Sequence, residues 1–353
     1  MPGSQWSGNA NEYLSDAAQG GPFLPGAGNV PSDPVSSIYP SGMTPRPIII
    51  DTDPGLDDAV AILLAFASPE LEVLGLTAVA GNVGLEFTAD NARRLCELAD
   101  RREAKVFAGC GRPMLRRQVK AVVHGETGLG GADLPPPTIP LQEQHGVDWM
   151  TETVMSAPEQ SITLCALGPL TNVALAFLRE PRLPARLREL VIMGGAGPSG
   201  GNSTPAAEFN IYADPHAAHV VFDSGAVIVL VPLDLTRQVL ATGERIERIR
   251  RIGSPVSRAV TGMLEFFNRG EAQYEGLEGS PLHDPCVIAY LLNPSLFQSK
   301  PVRIEIEIQS PRTLGMTIID AHLDDGAAAN CRILLQADAA GFYDLLTERL
   351  ARL

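Results

Sequence analysis

Four aspartates crowd one short stretch of the chain, and their chemistry gives the first indication of function. Asp51, Asp53, Asp57 and Asp58 lie close together with no lysine or arginine between them. Carboxylates this close repel one another unless a proton or a cation sits among them. A hard cation that prefers oxygen ligands is the simplest neutraliser. The alternative, that they are helix caps and solvated loop charges, explains one or two aspartates better than four.

The residues around the aspartates predict a strand, a turn and a helix. Ile48, Ile49 and Ile50 are β-branched residues in a row, which is typical of a strand buried on both faces. A proline–glycine pair then ends the strand. A helix is predicted from Ala59, with one of the two preceding aspartates placed to cap it. In an open parallel sheet, such a strand-to-helix turn lies where ligands bind.

Predicted strands and helices alternate from Arg46 onward, which indicates an α/β fold with an open, mainly parallel sheet and helices on both faces. The predicted strands cover 48–50, 71–80, 105–108, 161–167, 190–193 and 226–231, followed by a hairpin of 302–308 with 314–319. After the first helix, the predicted helices cover 87–99, 147–155, 170–178, 215–223, 245–267 with a break near Pro255, 286–292 and 338–350. Residues 1–45 are rich in Gly, Pro, Ser and Asn, so we expect a disordered or loosely docked extension before a single domain at 46–353.

Composition argues against several classes of protein. A net charge of −14 disfavours nucleic acid or an anionic membrane as a partner. No apolar run approaches the ~20 residues of a membrane helix, and no secretory signal is visible. The five cysteines are scattered without CxxC spacing, which favours a reducing compartment and no zinc site. We therefore expect a cytoplasmic protein.

Polar residues follow most of the predicted strands, and the carboxyl ends of parallel strands meet at one edge of a sheet. These loops hold acids, amides and two histidines but no lysine; they are 51–58, Asn82, 124–126, 167–172, 202–210, Asp234 and 283–284. Carboxylates and amides can bind the hydroxyls of a sugar. A phosphate site would need basic residues and a glycine-rich loop at a helix start, and residues 194–197 match that pattern only weakly.

The ordered set of motifs resembles the inosine-uridine-preferring nucleoside hydrolase family. The signature is Asp-Thr-Asp-Pro-Gly-Leu-Asp-Asp-Ala at 51–59. The supporting motifs are Gly81-Asn82, HGETG at 124–128, LGPLTN at 167–172, MGG at 193–195, AEFNI at 207–211, Asp214-Pro215, LDLT at 233–236 and His283-Asp284-Pro285. The resemblance covers residues 46–350 and keeps the motifs in order, while the first 45 residues have no counterpart in it.

The resemblance implies hydrolysis of the N-glycosidic bond of purine or pyrimidine ribonucleosides, with one bound Ca²⁺. Asp53, Asp58 and Asp284 are then the carboxylate ligands, and the backbone carbonyl of Leu167 joins them where family members often have threonine. Asp53 also takes the position of the general base, which accepts a proton from a Ca²⁺-bound water. The implied transition state resembles an oxocarbenium ion.

The resemblance also places an acid and a set of substrate contacts. His283 falls on the residue that protonates the leaving base, since histidine can donate protons near neutral pH. Aromatic residues that stack on the base are expected among Phe266, Phe267 and Tyr274, and the preferred base stays open. The implied substrate contacts are Asp57, Asn82 and Asn210 at the 2′ and 3′ hydroxyls, Asn202 and Glu208 at the 5′ hydroxyl, and His124, Met193 and Phe209 elsewhere in the site.

Two other functions fit parts of the sequence. Asp51 and Asp53 after a strand also match the nucleophile of haloacid-dehalogenase-like phosphatases, but these need a downstream lysine beside a late acidic pair, which the chain lacks. A non-catalytic sugar or nucleoside binder of the same fold would not need Asp53 as base or His283 as acid. The resemblance further implies a small ribonucleoside as the partner, neither nucleic acid nor membrane, and a homodimer or homotetramer.

The N-terminal extension is expected to be dispensable. Because residues 1–44 have neither apolar periodicity nor a core of their own, deleting them should leave solubility and turnover nearly unchanged. The yield of soluble protein and the rate of nucleoside cleavage, measured beside the full chain, test this. A large loss of either would show that the extension packs on the domain.

Overall fold

The computed structural model describes residues 44–353 apart from 122, 273–276, 322 and 324–327. The described residues belong to one compact unit. Almost all of the predicted N-terminal extension lies outside the described residues, and so does Tyr274. The division into extension and domain therefore stays a prediction.

A nine-stranded sheet forms the centre of the described fold. The strands are β1 (Arg46–Thr52), β2 (Leu71–Ala78), β3 (Val106–Ala108), β4 (Thr163–Ala166), β5 (Glu189–Met193), β6 (Ile228–Val231), β7 (Leu240–Thr242), β8 (Gly279–Pro281), β9 (Phe297–Ile306), β10 (Thr317–Asp320) and β11 (Cys331–Ala337). The sheet order is β10-β9-β11-β6-β5-β4-β1-β2-β3, and β7 pairs with β8 separately. Strands β11 to β3 run parallel, whereas β9 and β10 are antiparallel at one edge.

Helices cover both faces of this sheet. They are α1 (Leu56–Phe66), α2 (Leu85–Leu98), α3 (Gly146–Ser156), α4 (Thr171–Arg179), α5 (Leu183–Arg186), α6 (Phe209–Ala213), α7 (Pro215–Phe222), α8 (Leu233–Thr236), α9 (Gly243–Arg250), α10 (Pro255–Phe267), α11 (Pro285–Leu292) and α12 (Ala339–Leu350). A π-helical turn, Asn268–Ala272, continues α10, and a 3₁₀ turn covers Pro294–Leu296. The α/β prediction is confirmed.

The isoleucines of β1 show how the sheet is buried. Ile48 and Ile50 belong to an apolar cluster with residues of α1, α2, α10, α11 and α12. Ile49 belongs to a second cluster with residues of α3, α4 and α7. All three isoleucines are completely buried. Because successive side chains of a strand point to opposite faces, one continuous apolar run supplies both layers of the core.

The structure corrects several predicted boundaries. The first helix begins at Leu56 instead of Ala59, so Asp57 and Asp58 lie in its first turn. The predicted hairpin is present as β9 and β10, but β9 already begins at Phe297. Strand β11 was missed, because it is defined by its pairing between β6 and β9 and not by a local pattern. The shortest helices, α5, α6 and α8, and the small sheet of β7 with β8 are too short for periodicity to reveal.

The strand order creates a crevice beside β1. The chain runs outward from β1 to β2 and β3, and then crosses to β4, which pairs with β1 on its other side. The helices that follow β1 and β4 therefore pack on opposite faces of the sheet, and such a topological switch point is where open α/β sheets bind ligands. Asp53 follows β1 and Leu167 follows β4 at this point.

Candidate active site

Asp58 closes the turn between β1 and α1. One carboxylate oxygen accepts from the Thr52 hydroxyl at 2.5 Å and from the Asp53 amide at 3.3 Å. The other accepts from the amide of Gly55, the N-cap of α1, at 2.9 Å. Asp58 is the third residue of α1 and caps the helix from there. The sequence had predicted that either Asp57 or Asp58 would do so. The cap also fixes the backbone that carries Asp53.

Asp53 is completely buried, and its two oxygens differ. Oδ2 accepts from the Asn82 amide at 2.6 Å, whereas no described protein atom forms a hydrogen bond with Oδ1. A Cβ on Gly81 would lie 2.0 Å from Oδ2, and a Cβ on Gly168 would lie 2.3 Å from Oδ1. Only glycine at these two positions leaves room for the carboxylate. A buried oxygen without a donor calls for a proton, a water or a cation.

Three further carboxylates meet beside Asp53. Oxygens of Asp57, Asp58 and Asp284 all lie within 4.8 Å of one another, and all three residues are buried. Burial, followed by repulsion from neighbouring aspartates, raises the pKa of Asp53 and of Asp284 well above the usual range. Of the predicted carboxylate ligands, Asp58 and Asp284 belong to this group and Asp53 does not; Asp57, which the sequence had assigned to sugar hydroxyls, joins them.

Asp51 links the ends of neighbouring strands next to the site. It accepts from the Thr77 hydroxyl and from the Asn172 side-chain amide, the latter at 2.8 Å. Asn172 also accepts from the Cys110 amide at 2.7 Å, so this network joins β1, β2, the segment after β3 and α4. Burial is the main cause that raises the pKa of Asp51 to about 7. These partners give Asp51 a structural position beneath the turn.

A cavity of about 710 Å³ opens at the switch point. Leu167, His283 and Asp284 line it. Every predicted substrate contact lines it as well: Asp57, Asn82, His124, Met193, Asn202, Glu208, Phe209 and Asn210. The expected aromatics Phe266 and Phe267 also line it, and Tyr274 lies outside the described residues.

The cavity wall also contains residues that the sequence did not single out. Lys120, Tyr212 and Arg269 line it. The strand-end loops had suggested a wall without cationic side chains, but Lys120 and Arg269 are both cationic. Lys120 and Arg269 come from the long loop after β3 and from the π-helical turn, which no strand end indicates. The Arg116 guanidinium lies 4.0 Å from the centre of the Tyr212 ring and donates to the Tyr212 carbonyl. In the sequence, only the position of Tyr212 directly after the AEFNI motif could have indicated that it belongs to the site.

The predicted 5′-hydroxyl contacts also hold the local backbone. Glu208 caps α6 by accepting from the amides of Asn210 and Ile211, and it accepts from the Gly195 amide at 2.9 Å. Asn202 accepts from the Phe209 amide at 2.9 Å. Glu208 therefore ties the loop after β5 to the start of α6, and its buried carboxylate still borders the cavity.

Asn210 connects two strand ends. Its side-chain nitrogen donates to the carbonyl of Leu167 at 2.7 Å and to that of Met193 at 3.2 Å. The Leu167 carbonyl, which the resemblance makes a metal ligand, thus accepts a hydrogen bond from Asn210. A carbonyl oxygen has two lone pairs, so this bond leaves one for a second partner.

The two predicted histidines have different surroundings. His283 directly precedes Asp284 in the chain, and its Nδ1 lies 2.8 Å from the Thr236 hydroxyl. His124 Nδ1 accepts from the Leu56 amide at 3.1 Å, so the neutral ring carries its proton on Nε2. Burial first, and then the nearby His283, lower the pKa of His124 to about 3. His124 is therefore neutral near physiological pH and can donate a hydrogen bond but not act as a cationic acid.

Comparison with known proteins decides the family. Residues 48–344 match the family described as inosine-uridine preferring nucleoside hydrolase. The chain belongs to this family. It is 45% identical over 308 residues to the pyrimidine-specific ribonucleoside hydrolase RihA of a Shewanella species, covering 87% of this chain and 96% of that protein. An uncharacterized protein of Schizosaccharomyces pombe is also 45% identical, over 87% of this chain and 99% of its own length.

Solved structures of nucleoside hydrolases share the fold. A plant nucleoside hydrolase superimposes with a TM-score of 0.82 at 32% identity, covering 87% of this chain and 99% of its own. A purine-preferring ribonucleoside hydrolase from Gardnerella vaginalis gives a TM-score of 0.82 at 28% identity, with 87% and 98% coverage. As a nucleoside hydrolase, this chain is an enzyme that acts on N-glycosyl bonds. Membership disfavours the phosphatase alternative.

The nucleoside hydrolase has no candidate membrane span within the part of the chain that the structure describes. None of those helices is both long enough and apolar enough to cross a bilayer.

Proposed function

We propose that this nucleoside hydrolase cleaves the N-glycosidic bond of ribonucleosides to free base and ribose with the help of Ca²⁺. The observation that carries the proposal is Asp53 Oδ1, a buried carboxylate oxygen without a hydrogen-bond donor among the described protein atoms. It lies at the switch point of the sheet, beside a carboxylate triad of which Asp57 and Asp284 line the cavity; Asp53 itself is not among the lining residues. The family membership supports the reaction class.

The residues present fit a hard cation. The triad offers only oxygens, and Asp53 and the Leu167 carbonyl would complete a set without sulfur or nitrogen. Burial, followed by repulsion from neighbouring aspartates, raises the pKa of Asp53 and of Asp284, which supports a cation at this place because it would favour their charged forms. When bound, Ca²⁺ would offset this repulsion, polarise sugar hydroxyls and lower the pKa of water.

Asp53 is the base that the site supports. Its Oδ1 takes a proton from water as the water oxygen bonds to C1′ of the ribose and the bond from C1′ to the base nitrogen breaks. Asn82 holds Oδ2 at 2.6 Å and so fixes the direction of Oδ1. The buried acids around the ribose also favour the positive charge that develops in an oxocarbenium-like transition state.

The remaining side chains orient the substrate and complete the proton balance. Asp57, Asn82 and Asn210 line the cavity where the ribose hydroxyls would bind, with Asn202 and Glu208 at its other side. His283 donates a proton to the departing base, and its contact with Thr236 fixes the ring. His124 is less suited to this role, because its pKa is lowered to about 3.

Pyrimidine ribonucleosides such as uridine are the first substrates to test. The relatives named pyrimidine-specific are 45% identical to this chain, whereas the purine-preferring structure is 28% identical. The side chains around the expected base position are Phe266, Phe267 and His124. The homodimer or homotetramer and the cytoplasmic location implied by the resemblance stay predictions.

Calcium should co-purify with the chain at about one ion per chain, because the donors are hard oxygens. Asp58→Ala and Asp284→Ala should each lower the occupancy, whereas Asp223→Ala, on an exposed residue at the end of α7, should not. Elemental analysis of the purified proteins measures this. Zinc as the bound ion, or an active preparation without metal, would contradict the site.

Asp53→Asn should separate proton transfer from cation binding. The amide cannot accept a proton, while Asp58, Asp284 and the Leu167 carbonyl remain as the proposed ligands of the cation. We expect the turnover of uridine to fall ~100- to 10,000-fold, the usual contribution of a positioned base, while calcium stays bound. Near-wild-type turnover in this variant would assign the base to another group.

His283→Ala should affect substrates according to their leaving groups. The turnover of uridine should fall by ~100-fold or more, since the departing base needs a proton. A nitrophenyl riboside, whose leaving group is already a stable anion, should lose little. Calcium occupancy controls for displacement of the adjacent Asp284, and equal losses on both substrates would show that His283 only holds the loop in place.

A further inference from the structure

The segment His124–Gly131, here the histidine loop, is closed on itself. The Gly130 amide donates to the His124 carbonyl at 3.1 Å. Gly125, Gly128 and Gly131 have φ angles of +80°, +97° and +81°, in the left-handed region that favours glycine. The Leu129 side chain is 4% exposed and belongs to the main apolar cluster. The loop is therefore compact.

One side of the histidine loop is tied to the aspartate turn. The Asn91 side chain donates to the Pro54 carbonyl at 3.1 Å and to the Thr127 carbonyl at 2.7 Å. The Leu56 amide donates to the His124 ring at 3.1 Å. These bonds set the distance between the histidine loop and the start of α1.

The other side of the loop packs on α10 through two glycines. A Cβ on Gly262 would lie 2.3 Å from the Gly131 carbonyl oxygen, and a Cβ on Gly131 would lie 2.2 Å from the Gly262 carbonyl oxygen. A Cβ on Gly130 would lie 2.5 Å from the Phe266 ring. The two backbones thus touch where any side chain would force them apart.

Glycine at position 262 does not stabilise the helix. It lies in the interior of α10, a helix of 13 residues, where alanine is the better helix former. The same helix carries Phe266 and Phe267 to the cavity, and the Phe267 ring centre lies 5.6 Å from that of His124. The close approach at Gly262 therefore fixes how His124 and Phe267 face each other.

We propose that Gly262 is a positioning residue: its missing side chain lets α10 contact the Gly131 backbone, and this contact sets His124 and Phe267 at the cavity wall. The kinetic part of this inference rests on the proposed function. The structural part does not, because it concerns the position of the loop in the protein without substrate.

Gly262→Ala tests the proposal, with Gly243→Ala as the matched control. A Cβ on Gly243 meets nothing within 4 Å, so that variant adds a methyl group to α9 without a clash. In Gly262→Ala, hydrogen exchange should become faster at the amides of Leu56 and Gly130, which report the two bonds of the His124 residue. Both amides should exchange as in the wild type in the control.

The kinetic measurement uses uridine on the calcium-loaded enzyme. We expect kcat/KM of Gly262→Ala to fall about 10- to 100-fold, the loss that a misplacement of about 1 Å brings. Calcium affinity, measured by calorimetry, should stay unchanged, since the carboxylates lie outside the histidine loop. A wild type that cleaves no ribonucleoside would end the proposed function, whereas the exchange rates would still decide the inference.

Two results would overturn the proposal. One is wild-type exchange at Leu56 and Gly130 in Gly262→Ala, and the other is faster exchange with unchanged kcat/KM. If Gly262→Ala does not fold, Gly131→Ala takes its place, because its Cβ would meet the same contact from the loop side, 2.2 Å from the Gly262 carbonyl oxygen. Its control is Gly125→Ala, since Gly125 has nearly the same φ but its Cβ would keep 3.5 Å from its nearest neighbour. Faster exchange at Gly130 in Gly131→Ala than in Gly125→Ala supports the loop contact, and equal exchange overturns it.

Discussion

The active site depends on the burial of carboxylates at the end of β1. Asp53, Asp57, Asp58 and Asp284 are all withdrawn from water, and like charges at this distance repel strongly in a medium of low polarity. The protein offsets part of the cost with backbone amides, as at Asp58, and with Asn82 at Asp53. The pKa of Asp53 and of Asp284 still stays raised by burial, and a cation held by these oxygens would relieve that cost.

The surrounding elements keep this arrangement rigid. Asp51, Thr77 and Asn172 join the ends of neighbouring strands below the turn, and Asn210 joins the ends of β4 and β5 beside it. Each of these side chains forms a hydrogen bond with the backbone or with another buried side chain. Removing one partner would leave a buried polar atom unsatisfied, so the network holds the strand ends in a single arrangement.

Close contacts at glycines are the second feature that shapes the site. Gly81 and Gly168 leave room for Asp53, while Gly131 and Gly262 let the histidine loop touch α10. The first pair makes room for the buried Asp53 carboxylate, and the second pair sets the aromatic wall of the cavity. Hydrogen bonds and sterics thus position different parts of one site.

The sequence by itself determined the architecture and the chemical character of the site. The isoleucines of β1, the alternation of strands and helices and the motif order were enough, because burial on two faces and helix periodicity are local properties that a sequence records. The tertiary structure alone decided that Asp57 joins Asp58 and Asp284, the place of β11 between β6 and β9, and the entry of Lys120, Tyr212 and Arg269 into the cavity wall. It also showed the lowered pKa of His124 and the contact of Gly131 with Gly262. These features depend on burial and distance between segments far apart in the chain, which no local pattern encodes.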